Sequence, residues 1–286
     1  MSRAAVLGHP VGHSLSPVLH RAAYAALGLA WTYDAIDVDE HELEGFVASC
    51  GPEWAGLSLT MPLKQTVLSL LDHVEPLAEV VGAVNTVLFQ PGGSRATLVG
   101  ANTDVYGIVA ALREAGFAPG SGPARGVVLG AGATASSALA ALGELGITTP
   151  AVFARSLSRT GSLRRAAHRM GVEPTFHQID AVLPALLAAD VVVSTLPAHA
   201  ADPVASQLVQ AEPSRLGVLL DVVYEPRPSA LRAAWAPVGA DAGGERMLLH
   251  QAAEQVRLMT GRAAPLDAMA AALDAALDAP RPVDTV

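Results

Sequence analysis

An α/β fold with two domains is predicted for this chain of 286 residues, and three observations predict it. Short apolar runs alternate with amphipathic stretches over the first hundred residues, as strands alternate with helices. The same alternation restarts after a linker-like stretch rich in proline and glycine at residues 118–123. A glycine-rich turn then follows a strand and precedes a helix. These observations predict a mostly parallel sheet in the N-terminal domain, a Rossmann-like second domain, and closing C-terminal helices.

In the first half, apolar residues run together or alternate where strands are predicted, at 4–8, 31–38, 55–60, 86–90 and 95–99. Apolar positions recur at helical spacing at 16–27, 40–49, 65–71 and 75–81, and a further helix ends near Gly116. Ser16 suits the N-cap of the first helix and Pro17 its first position, while Gly28 suits its end. The turn at 91–93 predicts a hairpin between the last two strands.

The second half repeats the pattern. Strands are predicted at 126–129, 151–154, 190–194 and 217–223. Helices are predicted at 135–145, 164–170, 247–260 and 265–278. The proline-rich tail at 280–286 is expected to be frayed.

Composition disfavours several classes of protein. The net charge of −9 and the absence of a basic stripe disfavour nucleic-acid binding. No apolar run reaches the ~18 residues that span a bilayer, and the N-terminus does not resemble a signal peptide. A single cysteine, Cys50, excludes an internal disulfide framework. No metal site is expected, because Pro10 and Gly12 keep His9 and His13 off a common helical face. We therefore expect a cytoplasmic protein without nucleic-acid or membrane partners.

Lys64 is the one lysine among 18 basic residues, and the others are all arginine. It follows a short apolar strand that ends at a proline. A lysine differs from arginine because its compact ammonium group gives up a proton when its surroundings favour the neutral form. This position therefore indicates proton chemistry, with an ordinary surface lysine as the alternative.

A dinucleotide site is indicated by the turn GAGATA at 130–135, which joins a strand to a helix. Such a turn brings a pyrophosphate to the backbone and to the start of the helix. The candidate residues are Gly130, Ala131, Gly132, Ala133 and Thr134.

The next strand ends at Ala154 and continues with Arg155, Ser156 and, three residues later, Arg159. A cofactor with a free 2′-hydroxyl usually meets Asp or Glu at this point, and here neither is present. Arginine forms bidentate hydrogen bonds with a phosphate, so NADP(H) is the predicted cofactor rather than NAD. The alternative is that these arginines form only a solvated surface.

Further polar residues interrupt apolar segments in an order that resembles the motifs of shikimate dehydrogenase. Ser14 and Ser16 flank the start of a helix, where hydroxyls and backbone N–H groups can hold an anion. The motifs in chain order are GHPVGHSLSP at 8–17, TMPLK at 60–64, GAVNT at 82–86, NTD at 102–104, GAG at 130–132, YEP at 224–226 and MLLHQAA at 247–253. The resemblance therefore covers nearly the whole chain.

The resemblance implies reduction of 3-dehydroshikimate with NADPH in the biosynthesis of chorismate and aromatic amino acids. Lys64 and Asp104 would be the catalytic pair. The remaining substrate-binding residues would be Ser14 and Ser16 for the carboxylate, Tyr224 nearby, and Thr60, Asn85 and Gln251 for the ring hydroxyls. Thr195, Val222, Gly244 and Met247 would lie at the nicotinamide end of the cofactor.

The resemblance also implies a discontinuous substrate domain, residues 1–104 and 243–286, with the NADP-binding domain at 105–242 inserted. The chain departs from the family pattern at two places of interest. Ser58 stands where many members have Asn, and Glu245-Arg246 put two charges near the expected nicotinamide pocket. A quinate or aminoshikimate dehydrogenase, a methylenetetrahydrofolate dehydrogenase without the paired serines, and a silent NADP-binding paralogue are the alternatives. A monomer and a homodimer are both compatible with the sequence.

Overall fold

The computed structural model describes residues 2–92, 95–120 and 122–279. The strands are β1 (Arg3–Gly8), β2 (Thr32–Asp37), β3 (Trp54–Leu59), β4 (His73–Val74), β5 (Thr86–Gln90), β6 (Thr97–Ala101), β7 (Gly126–Leu129), β8 (Ala151–Ala154), β9 (Thr175–Gln178), β10 (Val191–Ser194), β11 (Val218–Asp221) and β12 (Asp241–Gly243). The α-helices are α1 (Ser16–Ala26), α2 (Leu43–Ser49), α3 (Leu63–Thr66), α4 (Pro76–Val81), α5 (Asp104–Glu114), α6 (Ala133–Glu144), α7 (Gly161–Met170), α8 (Leu183–Ala188), α9 (Asp202–Ala211), α10 (Ala230–Trp235), α11 (Gly244–Thr260) and α12 (Leu266–Asp278). Short 3₁₀ turns cover Val67–Leu70, Leu157–Arg159 and Ile179–Ala181.

The chain forms two compact units. The first takes the described residues within Met1–His73, Thr86–Val99 and Ala252–Val286, and the second those within Val74–Asn85 and Gly100–Gln251. No helix in the described part of the chain is both long and apolar enough to cross a membrane.

The first sheet has the order β2-β1-β3-β5-β6-β4. Strand β1 pairs in parallel with both β2 and β3, and β5 joins β3 in the antiparallel direction. The first strand is buried almost throughout because helices cover this region, as its unbroken apolar run predicts. Helix α1 turns Leu19, Ala23 and Tyr24 inward and packs against α12.

The second sheet has the order β12-β11-β10-β7-β8-β9, and all of its pairs are parallel. Successive strand residues point to opposite faces, so each strand contributes side chains to the hydrophobic cores on both faces of the sheet. Val128 packs with α5 and α6 on one face, while Val127 and Leu129 pack with α9 and α10 on the other. This Rossmann-like arrangement confirms the predicted α/β class. The order in which successive strands are added to the sheet reverses between β7 and β10. In folds of this kind, ligands bind at that point.

Several helix and strand boundaries in the structure differ from the predicted ones, and the causes are local. The helix predicted at 40–49 begins at Leu43, because Asp39 Oδ1 accepts hydrogen bonds from the backbone N–H groups of His41 and Glu42 and forms a turn first. The pattern did not reveal β9, β12 or the helices α8, α9 and α10, which are mostly short and follow polar or proline-containing stretches. The middle of the predicted hairpin turn and the tail at 280–286 lie outside the described residues.

Candidate active site

The carboxyl ends of β1, β2 and β3 meet at one edge of the first sheet, because these strands are parallel. The loop after β1 carries Ser14 and leads into Ser16, and the turn after β3 carries Thr60 and leads into Lys64 on α3. The structure therefore brings four of the predicted site residues to the same edge. Lys64 is partly exposed, as a group that meets a ligand must be.

Gly8 allows the two loops to approach. A Cβ at this position would overlap the side chain of Thr60 and lie 2.9 Å from the carbonyl oxygen of Met61. The backbone N–H of Thr60 donates to Leu7, and that of His9 donates to Met61. Gly8 lies within a motif that the sequence presents, but its packing role becomes visible only in the folded chain.

Asp37, at the end of β2, anchors the loop that leads to Ser14. Its Oδ1 lies 2.5 Å from His9 Nδ1, and its Oδ2 accepts from the backbone N–H of Val11 at 3.2 Å. The His9 hydrogen bond lowers the pKa of Asp37, and the same bond raises the pKa of His9. This loop is therefore held by a carboxylate at the end of the neighbouring strand β2, and Ser14 lies three residues after the held Val11.

Ser16 is the first residue of α1 and does not cap it, which corrects the predicted role. Its backbone N–H donates to Ser14 Oγ at 3.3 Å, and its carbonyl oxygen lies 2.9 Å from the Nδ1 of the fully buried His20. His20 stacks on Tyr33 with ring centroids 3.9 Å apart. Burial lowers the pKa of His20 to about 4, so this ring is neutral near pH 7. His20 therefore contacts the backbone of Ser16, and Tyr33 holds the His20 ring in place by stacking. Neither residue was predicted as part of the site.

Asn85 is the centre of a buried polar cluster in the second unit. Its Nδ2 lies 2.8 Å from Asp104 Oδ1, 2.9 Å from Thr103 Oγ1 and 2.8 Å from Gln251 Oε1. The backbone N–H of Thr103 donates to Asn85 Oδ1 at 2.8 Å. Asn85 and Asp104 are 1% and 2% exposed, so these bonds replace solvent for both groups. Three predicted site residues are thus in direct contact here.

Asn102 and Gly107 fix the helices that carry this cluster. Asn102 Nδ2 donates to the carbonyl oxygen of Ala83, and its Oδ1 accepts from the N–H of Val105 at the start of α5. A Cβ on Gly107 would lie 2.8 Å from Met247 O and 2.9 Å from Gln251 Cβ. Glycine at 107 therefore lets α11 lie against α5, which brings Gln251 to Asn85. Gly107 was not predicted as part of the site, since a glycine inside a regular helix gives no local signal.

The predicted phosphate turn lies at the carboxyl end of β7, where the strand order of the second sheet reverses. Gly130 has φ +109°, and a Cβ there would overlap Thr195 Oγ1. That hydroxyl donates to Leu129 O at 2.8 Å. Gly132 caps α6 without a side chain, so the first turn of the helix, Ala133 and Thr134, stays open to an anion. Ala131 and Thr134 are partly exposed.

The end of β8 presents cations and hydroxyls. Ala154 is buried as the last residue of the strand, and Arg155 and Arg159 are exposed beyond it. Ser156 Oγ lies 2.9 Å from Ser158 Oγ in the same turn. No carboxylate interrupts this turn, so its local charge favours an anionic group.

Thr195, Val222 and Gly244 follow β10, β11 and β12, so they lie along the same edge as Gly130. A Cβ on Gly244 would overlap the backbone of Val222, so glycine is needed for this approach. Met247 is buried in the hydrophobic core of the second unit.

Asp221 holds the loop that carries Val222 and Tyr224. Its Oδ2 accepts from Ser229 Oγ at 2.6 Å, and burial raises the pKa of this carboxyl. The Ser229 hydroxyl also accepts from Arg232 N at the start of α10. The loop is therefore tied at both ends, and Tyr224 is partly exposed within it.

The two charges at 245 and 246 have partners within the second unit. Arg232 Nη1 donates to Glu245 Oε1 at 3.2 Å, and Arg232 Nε donates to Asp241 Oδ2 at 2.5 Å. Arg246 forms an ion pair with Glu114, whose other oxygen contacts Nε2 of His250. Each of the two charges that were expected near a nicotinamide pocket is therefore held in an ion pair within the second unit.

Apart from Tyr224, which lies in the loop after β11, the predicted residues therefore form three groups. Those of the first unit share one sheet edge, Asn85, Asp104 and Gln251 share one hydrogen-bonded cluster, and the cofactor candidates, apart from the core residue Met247, share the carboxyl edge of the second sheet. Among the described residues, no three His, Cys, Asp or Glu side chains are arranged to hold a metal ion.

Two family models match the chain. The shikimate dehydrogenase substrate binding domain matches residues 6–87, and the shikimate 5′-dehydrogenase C-terminal domain matches residues 244–273.

Relatives match over nearly the full length. The shikimate dehydrogenase (NADP(+)) of Methanothermobacter thermautotrophicus is 34% identical over 283 residues, with 96% of each chain covered. That of Rubrobacter xylanophilus is 37% identical over 278 residues, with 95% of each covered.

Solved structures agree. Shikimate dehydrogenase of Mycobacterium tuberculosis superposes with a TM-score of 0.84 at 40% identity, covering 96% of this chain and 100% of that one. The Thermus thermophilus enzyme in complex with NADP(H) and shikimate has a TM-score of 0.80 at 33% identity, with 96% and 100% covered.

Proposed function

Because the chain belongs to the shikimate dehydrogenase family, we propose that it catalyses the reversible NADPH-dependent reduction of 3-dehydroshikimate to shikimate. It is an oxidoreductase that acts on a CH–OH group in the shikimate pathway. The observation that carries this proposal is the contact of Asn85 with both Asp104 and Gln251, which lie 19 and 166 positions away in the sequence. Only folding brings these motif residues together, and it does so as one hydrogen-bonded group.

The residues present fit NADP(H). Gly132 has open space where a Cβ would lie, which leaves room for a pyrophosphate, and the uncapped first turn of α6 offers N–H donors to it. Arg155 and Arg159 are exposed after β8 and suit a 2′-phosphate, to which a guanidinium forms paired hydrogen bonds. When bound, the cofactor supplies the hydride. Thr195, Val222, Gly244 and Met247 are assigned to its nicotinamide end by the family resemblance.

Lys64 and Asp104 form the catalytic pair of this proposal. Reduction of the ketone leaves an alkoxide oxygen that needs a proton, and Lys64 Nζ donates it, then takes it back in the reverse reaction. Asp104 accepts hydrogen bonds, so its carboxylate orients the ammonium and a substrate hydroxyl. Asn85 Nδ2 donates to Asp104 Oδ1 and fixes that carboxylate in place.

The remaining polar residues have substrate-binding roles in this proposal. Ser14, Ser16 and Tyr224 offer hydroxyl donors to the substrate carboxylate, and the anchored loop after β1 pre-organises the two serines. Thr60, Asn85 and Gln251 bind the ring hydroxyls. Residues 1–104 and 243–286 are assigned to substrate binding and residues 105–242 to the cofactor. We further infer a cytoplasmic enzyme, active as a monomer or homodimer.

Initial rates test the function. Absorbance at 340 nm is followed with shikimate or quinate crossed against NADP⁺ or NAD⁺. Turnover that favours shikimate with NADP⁺ is expected. Faster turnover of quinate or NAD⁺ would overturn the substrate or cofactor assignment. No turnover with any pair, together with retained NADPH binding, would identify a silent paralogue.

Replacement of the lysine tests the catalytic role. We expect Lys64→Ala to lower kcat by about 10²–10⁴-fold, the usual contribution of a general acid–base group, with little change in NADPH affinity. Gln65→Ala, at an exposed neighbouring position, is the matched control and should keep the normal rate. A normal kcat in Lys64→Ala would remove lysine from the mechanism.

A further inference from the structure

Gln255 bridges two strands of the first unit with both ends of its side-chain amide. Its Oε1 accepts from Ser58 Oγ at 2.9 Å, and its Nε2 donates to Thr86 Oγ1 at 3.0 Å. The three side chains are 1%, 3% and 0% exposed, so solvent does not compete for these bonds. No role in the proposed reaction has been given to Gln255.

Ser58 and Thr86 are directly opposite each other in the antiparallel pair of β3 and β5. The amide of Gln255 therefore spans one cross-strand pair from the side of α11. Tyr33, on β2, adds a third strand, because its hydroxyl donates to Ser58 Oγ at 2.6 Å. The Ser58 hydroxyl thus accepts one hydrogen bond and donates its one proton to Gln255.

The bridge adjoins predicted substrate ligands on both strands. Thr60 follows Ser58 by two residues at the end of β3, and Asn85 immediately precedes Thr86 at the start of β5. On α11, Gln255 lies one helical turn after Gln251, on the same side of the helix. Gln251 contacts Asn85, and Gln255 contacts Thr86. Two glutamines one turn apart on α11 therefore hydrogen-bond to two consecutive residues at the start of β5.

We propose that Gln255 is a positioning residue for the substrate site, and that Ser58 serves this bridge rather than the substrate. The inference rests on the proposed function. Gln255 sets the separation between the ends of β3 and β5, and thereby the places of Thr60 and Asn85. Ser58 completes the bridge because its short hydroxyl reaches both Tyr33 and Gln255, and the longer Asn typical of the family would have to displace them.

The test compares substrate and cofactor constants in four variants of the full chain. Gln255→Ala removes the whole bridge. Ser58→Ala removes one side of it and provides a second test if Gln255→Ala fails to fold. Gln255→Glu keeps the shape but loses the donor to Thr86 when ionised. Val256→Ala, a fully buried neighbour on α11, is the matched control for loss of packing.

Gln255→Ala is expected to raise KM for shikimate about tenfold with KM for NADP⁺ changed less than twofold, and Ser58→Ala about threefold, as expected for the loss of buried hydrogen bonds. Gln255→Glu should approach the wild-type KM as the pH falls, because the neutral carboxyl group regains an O–H donor and burial raises the pKa of such a group. Val256→Ala should lower Tm and leave both constants unchanged.

A purely structural role is identified if Val256→Ala reproduces the increase in KM, or if both constants rise together in the bridge variants, and either result overturns the inference. A Gln255→Glu variant whose KM for shikimate stays raised at every pH also overturns it. Failure of the wild type to oxidise shikimate refutes the proposed function instead, before any variant is compared.

Discussion

Gly107→Ala is expected to destabilise the protein although alanine favours helix formation. In a free helix this change stabilises by about 1 kcal/mol. Here the added Cβ would lie 2.8 Å from Met247 O, 2.9 Å from Gln251 Cβ and 3.2 Å from Gln251 N. Two of these atoms belong to the backbone of α11 and cannot rotate away.

The magnitude follows from the distances. Carbon atoms pack best at about 3.5–4.0 Å, so α11 must retreat from α5 by roughly 0.5–1 Å. Overpacking of this kind costs about 1–3 kcal/mol, which exceeds the gain in helix propensity. The net loss of about 1 kcal/mol lowers Tm by about 2–4 °C for a chain of this size.

The same retreat weakens the contact between Gln251 and Asn85, now 2.8 Å, because N–H···O bonds end near 3.2 Å. Loss of one hydrogen bond corresponds to about a fivefold rise in KM for shikimate. Thermal unfolding and initial rates measure the two effects in one preparation.

Gly45→Ala is the matched control, since Gly45 lies within α2 and a Cβ there meets nothing within 4 Å. It should stabilise the protein by about 0.4–1 kcal/mol. If Gly107→Ala were equally stabilising, with an unchanged KM, the argument that this glycine sets the place of Gln251 would be refuted.

Three further changes test other parts of the structure. Gly130→Ala, at φ +109° and against Thr195, should weaken NADPH binding at least tenfold in a fluorescence titration, whereas Gly122→Ala, which has open space, should not. His20 has a folded-state pKa of about 4, below the unfolded value of about 6.5, so its stabilisation is complete above pH 6.5. As the pH falls to 4, the free energy of unfolding should decrease by up to ~1.4 kcal/mol per pH unit, and a denaturant series on His20→Phe that keeps this slope would exclude His20 as its source. Arg232→Leu leaves Asp241 and Glu245 without their partly buried partner and should cost up to about 3–5 kcal/mol, while Arg246→Ala, at a more exposed pair, should cost below about 1 kcal/mol. Equal losses in chemical denaturation would contradict this ranking.

Local patterns were sufficient for much of the fold. The apolar runs of β7, β8 and β10 and the glycine turn at 130–132 were identified because a buried strand and a strand-to-helix turn depend on neighbouring residues. The start of α2 was wrong because the Asp39 turn competes with the helix. The elements β9 and β12 were missed because their short runs carry too little periodicity.

The partners of charged and polar side chains were less accessible to prediction. Glu245 was expected near a nicotinamide pocket, but its pairing with Arg232 was not predicted; it arises because α10 packs against β12, which leads directly into α11. Gln255 was not predicted as a site residue, because a glutamine one turn beyond a motif has no distinctive sequence pattern. Its partners Ser58 and Thr86 also lie 197 and 169 positions away in the sequence.

The sequence by itself determined the element types, the glycine turn and the kinds of side chain available for chemistry, since these depend on periodicity and conformational preference within a few residues. Only the tertiary structure decided that Asn85 meets both Asp104 and Gln251, that Gly107 admits α11, and that Gln255 spans Ser58 and Thr86. The physical reason is that strand order and helix packing set these distances, and a hydrogen bond forms only where folding has brought donor and acceptor within about 3 Å.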